Sequence, residues 1–225
     1  MTTHLRTPAP IICIDGPTAS GKGTVARAVA DVLGFRYLDS GALYRLTGFA
    51  ARQSGADMAN ADEIGTIARN LAAKFVGDKI YLSNIDVGDA IRAEQAGQDA
   101  SIVAAIPAVR VALLQRQRDF AQAPGLVCDG RDMGTIVFTH AQVKVFLTAS
   151  AKVRAERRTK QLKQKGISAI LEDVENDLIA RDARDSNRLA APLVAANDAV
   201  TIDSTAFTAS EIVAQIVGLY RSKVL

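Results

Sequence analysis

Ile11-Ile12-Cys13-Ile14-Asp15-Gly16-Pro17-Thr18-Ala19-Ser20-Gly21-Lys22-Gly23-Thr24 begins as an apolar run, ends that run in a carboxylate, turns between two glycines and reaches Lys-Gly-Thr where an amphipathic pattern starts. Strand, glycine-bounded loop and helix in that order make a phosphate-binding loop. Gly16 and Gly21 allow φ > 0 and let backbone N–H groups close on phosphate oxygens around Pro17, Thr18, Ala19 and Ser20. Lys22 supplies a point charge for the β- and γ-phosphates, and the helix opened by Gly23 and Thr24 aims its unpaired N–H groups and positive dipole end at the same anion. A bound nucleoside triphosphate is predicted. The common pattern has Ser or Thr directly after the Lys as a Mg²⁺ ligand, but Gly23 holds that place here and Thr24 follows.

The chain has 225 residues, 48% hydrophobic and 23% charged, which suffices for one substantial core with an insert. A net charge of +3 argues against a protein that coats DNA, and 5% aromatic residues are too few for a base-stacking platform. No apolar run approaches a membrane span, and Met1 to Pro10 lacks the apolar centre of a signal peptide, so a cytoplasmic protein is expected. Cys13 and Cys128 lie in short apolar runs without metal-type spacing and read as buried, reduced thiols. His4 in the tail and His140 in a polar connection sit in no motif, which fits structural or solvent roles.

After the loop, Val25, Ala26, Val29, Ala30, Val32 and Leu33 form a helical stripe that stops at Gly34. Phe35 to Leu38 reads as a strand, Asp39-Ser40-Gly41 as a turn into a helix ending near Gln53, and Ala61 to Ala73 as another helix. Lys74 to Val87, rich in β formers and punctuated by Gly77-Asp78 and Ser83-Asn84, predicts two or three short antiparallel strands inserted on an α/β core. Helices are expected from about Ala96 to Ile106 and from Pro107 to about Gln122. Leu126 to Asp129 and Gln142 to Thr148 read as core strands. Ser150 is placed to cap a basic helix ending near Gly166, and Ser168 to cap one extending toward Arg188. Ala199 to Asp203 and Glu211 to Arg221 read as a last strand and helix. This alternation predicts an α/β fold with a mostly parallel sheet flanked by helices.

Four further clusters bear on chemistry. Asp39-Ser40-Gly41-Ala42-Leu43-Tyr44-Arg45 sets a hydroxyl, a ring and a guanidinium at a helix start beside a strand end, where open α/β sheets bind ligands; a capped helix with a solvated Arg is the alternative. Asp129-Gly130-Arg131-Asp132 follows an apolar strand, with Asp129 where a Mg²⁺-associated carboxylate belongs and Gly130 allowing a turn that exposes Arg131 and Asp132; a plain polar turn is the alternative. Within Arg181 to Arg188, Arg181, Asp185 and Arg188 follow i, i+4, i+7 spacing and, if helical, share a face over ~10 Å that could grip a sugar and a phosphate. The competing reading is an exposed helix laced with weak ion pairs. Arg154, Arg157 and Arg158 lie on one face of the basic helix near Lys152 and Lys160; such runs are usually solvated, yet a basic lid is what phosphoryl transfer needs to exclude water.

Taken together, Leu38-Asp39-Ser40-Gly41-Ala42-Leu43-Tyr44-Arg45, Asp129-Gly130-Arg131-Asp132-Met133-Gly134-Thr135 and Arg181 through Leu193 resemble, in order and over the whole chain, the bacterial cytidylate kinases, and Lys-Gly-Thr is similar to the nucleotide-kinase branch of P-loop proteins. The resemblance implies a nucleoside monophosphate kinase fold: a core of 10–60, 107–149 and 189–225, a monophosphate-binding insert at about 61–106, and a lid with its following helix at about 150–188. It implies ATP as donor, CMP and dCMP as acceptors, and Mg²⁺ carried by the nucleotide phosphates with Asp129 or Thr24 as ligand. Lys22, Arg131 and Arg188 are implied as catalytic, and Gly16 through Thr24 with Arg154, Arg157 and Arg158 as ATP contacts. For CMP the implied contacts are Ser40, Tyr44, Arg45, Ser101, Arg110, Arg131, Asp132, Arg181, Asp185 and Arg188. Of these, Arg181 and Asp185 would hold the sugar, and Ser101, Arg110 and Asp132 would read cytosine. Residue pattern alone does not single out Ser101 or Arg110, which read as a helix-surface hydroxyl and a solvated cation.

Cytosine offers an amine donor beside two acceptors, so a carboxylate such as Asp132 and a cation such as Arg110 are the right types to read it. Uracil would set a carbonyl against Asp132, a mismatch that discriminates strongly when buried. The acceptor phosphate, with a second pKa near 6, needs no general base. A kinase acting on UMP, AMP or shikimate would share the loop without needing this set, and a GTPase switch would need a guanine-reading Asn-Lys-x-Asp that the chain lacks. The expected partners are small molecules alone, with neither nucleic acid nor membrane, and a monomer is expected.

Overall fold

A computed structural model describes residues 9–77, 79–164 and 166–224. The tail carrying His4, and Asp78 of the first predicted hairpin turn, lie outside the described residues. The chain divides into two compact units: one from residues up to Leu38, Arg118–Asn187 and Ala191 onward, the other from Asp39–Gln117 with Arg188–Ala190.

The first unit is built on a five-stranded sheet. Its strands are β1 (Ile11–Asp15), β2 (Arg36–Asp39, at whose end the chain passes to the second unit), β6 (Leu126–Gly130), β7 (Val143–Thr148) and β8 (Val200–Asp203), in the order β2-β6-β1-β7-β8. β1 pairs in parallel with β6 and with β7, and β7 with β8, as strands separated by helical crossovers must. Period-2 alternation divides β1: Ile12 and Ile14 join Val143, Val145, Leu147 and Ile202 in one apolar layer with Val25, Val29, Ile212 and Ile216. These last come from α1 (Lys22–Leu33) and α8 (Ala209–Val224), which pack along that face. Each fully buried aliphatic side chain contributes about 2 kcal/mol. Ile11, Cys13 and Asp15 point the other way, and all are buried.

The remaining helices of this unit are α6 (Ala151–Gln164) and α7 (Leu171–Ser186). Ser150 caps α6 as predicted, its Oγ accepting from Val153 N at 3.3 Å. Ser168 does not cap α7, which starts three residues later with Glu172 and Asp173 in its first turn, where carboxylates favour the positive dipole end. α7 stops at Ser186, and Leu193 N turns back to donate to Asp185 O at 2.9 Å. Arg188 therefore lies beyond the helix and falls with the second unit, so the proposed Arg181, Asp185, Arg188 face is not formed.

The second unit holds α2 (Ser40–Gln53), α3 (Ala61–Arg69), α4 (Glu94–Val103), α5 (Pro107–Arg118, whose last residue falls to the first unit) and a three-stranded antiparallel sheet. Its strands are β3 (Ala73–Val76), β4 (Lys79–Leu82) and β5 (Ile85–Asp86) in sequence order. The unit is larger than the expected insert of 61–106 because small residues let the flanking helices pack into it. A Cβ on Gly48 of α2 would meet Asp99 Cβ of α4 at 2.7 Å, and one on Gly65 of α3 would meet Ala108 Cβ of α5 at 2.7 Å. Among the described residues, no single helix is long and apolar enough to cross a membrane.

Candidate active site

The loop is shaped by sterics before any ligand is considered. At Gly16, φ is +155° and an added Cβ would lie 2.1 Å from Leu147 O of β7, so no side chain fits there. Ala19 and Gly21 also take positive φ, 60° and 90°, which turns the backbone into the head of α1. Lys22 Nζ donates to Pro17 O at 3.1 Å, which folds the ammonium over the loop rather than away from it.

Arg131, just past β6, joins two elements. Its Nη2 donates to Thr18 Oγ1 at 2.7 Å and its Nε to Asp185 Oδ2 at 2.8 Å, with Asp185 buried. A buried carboxylate on α7 thus fixes a guanidinium against the phosphate-binding loop, a charge-assisted bond of the stronger kind. One helical turn earlier, Asp182 accepts from Arg154 Nη1 at 2.5 Å and from Thr18 N at 3.4 Å. Arg154 also donates to Thr18 O at 3.1 Å and is only 6% exposed. The basic helix is therefore anchored where it faces the loop, unlike the solvated run that composition favours. Arg157 turns to Ser204, donating to its Oγ at 2.9 Å and its carbonyl at 2.7 Å, while Ser204 Oγ donates to Ser20 O at 3.1 Å. Arg158 is half-buried on the same helix.

Asp129, the last residue but one of β6, accepts from Tyr37 OH at 2.7 Å. Its carboxylate oxygens lie 3.9 Å from where a Gly23 Cβ would be, beside the head of α1, whereas Thr24 is exposed. A hard carboxylate donor beside a phosphate-binding loop fits Mg²⁺, which takes one or two carboxylates and completes its shell with water and phosphate. Asp132 is 3% exposed and leads into a π-helical turn, Met133–Val137. Arg181 lies on α7 one turn before Asp185.

In the second unit, Ser40, Tyr44 and Arg45 occupy the first turns of α2. Asp39 caps that helix, accepting from Ala42 N at 3.1 Å, and its other oxygen takes Arg45 Nη2 at 2.5 Å. Arg110 of α5 sits over the Tyr44 ring, 5.7 Å from the centroid, and donates to Ala104 O at 3.2 Å. Ser101 on α4 is buried, not a surface hydroxyl. His140 is exposed.

A family model described as cytidylate kinase matches residues 12–222. The chain belongs to the cytidylate kinase family. The cytidylate kinase of Ralstonia pickettii (strain 12J) is 54% identical over 214 residues, 95% of this chain and 93% of that one. That of Cupriavidus pinatubonensis (strain JMP 134 / LMG 1197) is 55% identical over 206 residues, 92% and 93% of the two chains. The solved structure of an uncharacterized protein from Eubacterium ventriosum ATCC 27560 has a TM-score of 0.51 at 12% identity, covering 95% of this chain and 98% of that chain, a likeness of fold alone.

Three residues of this kinase's loop surroundings escaped the sequence reading: Asp182, Ser204 and Asp15. Asp182 could have been found from its i, i+3 spacing to Asp185, which puts both carboxylates on one side of a helix. Ser204 directly follows a strand end, and Asp15 directly precedes the loop. Asp15 is fully buried, and that burial, reinforced by the nearby Asp132 charge, pushes its carboxyl up to about 7 against the opposing hydrogen bonds from Gly134 N and Met133 N and the Lys22 charge.

Proposed function

We propose that this kinase transfers the γ-phosphoryl group of ATP to the phosphate of CMP or dCMP, giving ADP and CDP or dCDP. The observation that carries the reading is Arg131, a cation bonded at once to Thr18 of the phosphate-binding loop and to buried Asp185. Phosphoryl transfer demands two mutually repelling anions held in line, with charge cancelled as the group moves. In this reading Gly16 through Thr24 cradle the donor phosphates, Lys22 meets the β- and γ-oxygens, and Arg154, Arg157 and Arg158 complete the ATP contacts. Arg131 and Arg188 take the charge of the transferring group.

Acceptor contacts are assigned to Ser40, Tyr44, Arg45, Ser101, Arg110, Arg131, Asp132, Arg181, Asp185 and Arg188. Arg181 and Asp185 hold the sugar, and Ser101, Arg110 and Asp132 read the base. The acceptor oxygen is already ionised near neutral pH, so no side chain has to remove a proton. Mg²⁺, with Asp129 as its protein ligand and Thr24 as the alternative, supplies charge neutralisation on the nucleotide phosphates when bound. The working unit is a single chain in the cytoplasm, acting on small molecules and on neither nucleic acid nor membrane.

The test is the base preference. Asp132→Ala should collapse the ratio of kcat/KM for CMP over UMP, since it removes the acceptor that pairs with the cytosine amine and rejects the uracil carbonyl. An unchanged ratio would remove Asp132 from the base-reading set.

A further inference from the structure

Asp15 belongs to no ion pair among those the structure describes, yet it is only 5% exposed and its two oxygens are both engaged. Oδ1 accepts from Met133 N at 2.9 Å and Oδ2 from Gly134 N at 2.8 Å. Its neighbour in sequence is Gly16, whose backbone is locked against Leu147 O, so the carboxylate stands on a fixed base. The two amides it holds open the π-helical turn that directly follows Asp132. At the far end of that turn Arg118 Nε donates to Val137 O at 3.1 Å, so the turn is fastened at both ends. Gly134 gives the close approach: a Cβ there would lie 3.1 Å from Lys144 Cδ and 3.5 Å from Asp15 Oδ2. A carboxylate is the one side chain of this length with two acceptor oxygens for two adjacent N–H donors.

We infer that Asp15 is a positioning residue for base selection: its carboxylate clamps the Met133 and Gly134 amides and so fixes the direction in which the preceding Asp132 faces the base. The inference rests on the base-reading role given to Asp132 above. Thr18 holds Arg131 from the same loop, so consecutive members of the Arg131-Asp132 pair take their orientation from the donor strand and loop. Asn in place of Asp15 keeps the size of the side chain but turns one acceptor into an N–H donor facing another donor. One of the two amides must then swing away. A displacement of about an ångström at a substrate-positioning group costs on the order of 10²-fold in turnover efficiency.

The experiment measures kcat and KM for CMP, UMP and ATP at pH 8.5, where Asp15 with its carboxyl at about 7 is ionised, in the wild type, Asp15→Asn, Asp132→Ala and the double variant. A ratio of two kcat/KM values on one preparation does not depend on the fraction of active enzyme, so partial misfolding cannot mimic the effect. Asp15→Asn should lower the CMP over UMP ratio by at least ~10-fold, with the ATP KM within about threefold of wild type. In the Asp132→Ala background the same change should leave the ratio unaltered, because the group it aims is gone. If Asp15→Asn yields no soluble enzyme, Asp15→Ser is read in the same way. A wild-type ratio retained in the folded Asp15 variant, or an equal further drop in the double variant, overturns the inference while leaving the function intact. A wild type that phosphorylates no cytidine nucleotide would instead overturn the function.

Discussion

Arg131→Met separates what Arg131 does for folding from what it does for turnover. In the wild type its side chain is 17% exposed and that of its partner Asp185 5%, so the pair is mostly withdrawn from water. Met fills comparable volume but removes the Arg131 side of the pair with Asp185, and breaking a buried pair from one side costs about 3 kcal/mol. For a chain of this size each kcal/mol shifts Tm by roughly 3 °C, so a fall of about 9 °C is expected. Turnover should suffer more: a guanidinium that stabilises the transferring phosphoryl group is worth on the order of 10³-fold in kcat. The double variant Arg131→Met with Asp185→Leu replaces both charges by apolar groups and should recover most of the lost Tm with no recovery of turnover. Differential scanning fluorimetry and a coupled ADP-release assay read the two effects. An Arg131→Met protein that melts within about 2 °C of wild type and turns over within tenfold of it would refute the reasoning on both counts.

Two further outcomes follow from single positions. Because the Asp15 carboxyl is raised to about 7 in the folded chain, the native state binds its proton more tightly than the unfolded chain does, so this group's contribution is full below its unfolded pKa and is lost as pH rises through about 7. The stability of the wild type relative to Asp15→Asn, read from urea unfolding, should therefore rise between pH 8 and pH 5, by about 2.5 kcal/mol; a difference independent of pH would contradict the burial argument. Gly16→Ala, which must set a Cβ within 2.1 Å of Leu147 O, should give no cooperative melt under conditions where the wild type is folded, and a Tm within a few degrees of wild type would show that the loop is not wedged on β7.

The α/β fold was legible because the two central strands β1 and β6 carry unbroken apolar runs that end in a carboxylate, and the helices between strands carry a 3.6-residue stripe. Positive φ at Gly16 and Gly21 was likewise readable from the glycines that bound the loop, whereas the positive φ of Ala19 was not, since nothing in its residue type signals it. Helix ends were harder. Ser168 looked like a cap, yet chain from Gly166 to Ile170 stays irregular before α7, and α7 stops two residues short of Arg188. Periodicity extends through such stops because it counts residues and not backbone hydrogen bonds. The anchoring of Arg154 by Asp182 was invisible for a different reason: the two are far apart in sequence, and a run of exposed-type cations gives no sign of which one turns inward. Asp15 was read only as a strand end because its partners are backbone amides, which leave no trace in side-chain composition.

Everything above turns on a cytidine monophosphate as the acceptor. A coupled ADP-release assay with ATP across CMP, dCMP, UMP, AMP and shikimate tests it most directly. CMP and dCMP should give the highest kcat/KM, with UMP trailing them. A flat response across the panel, or a maximum at AMP or shikimate, would contradict it.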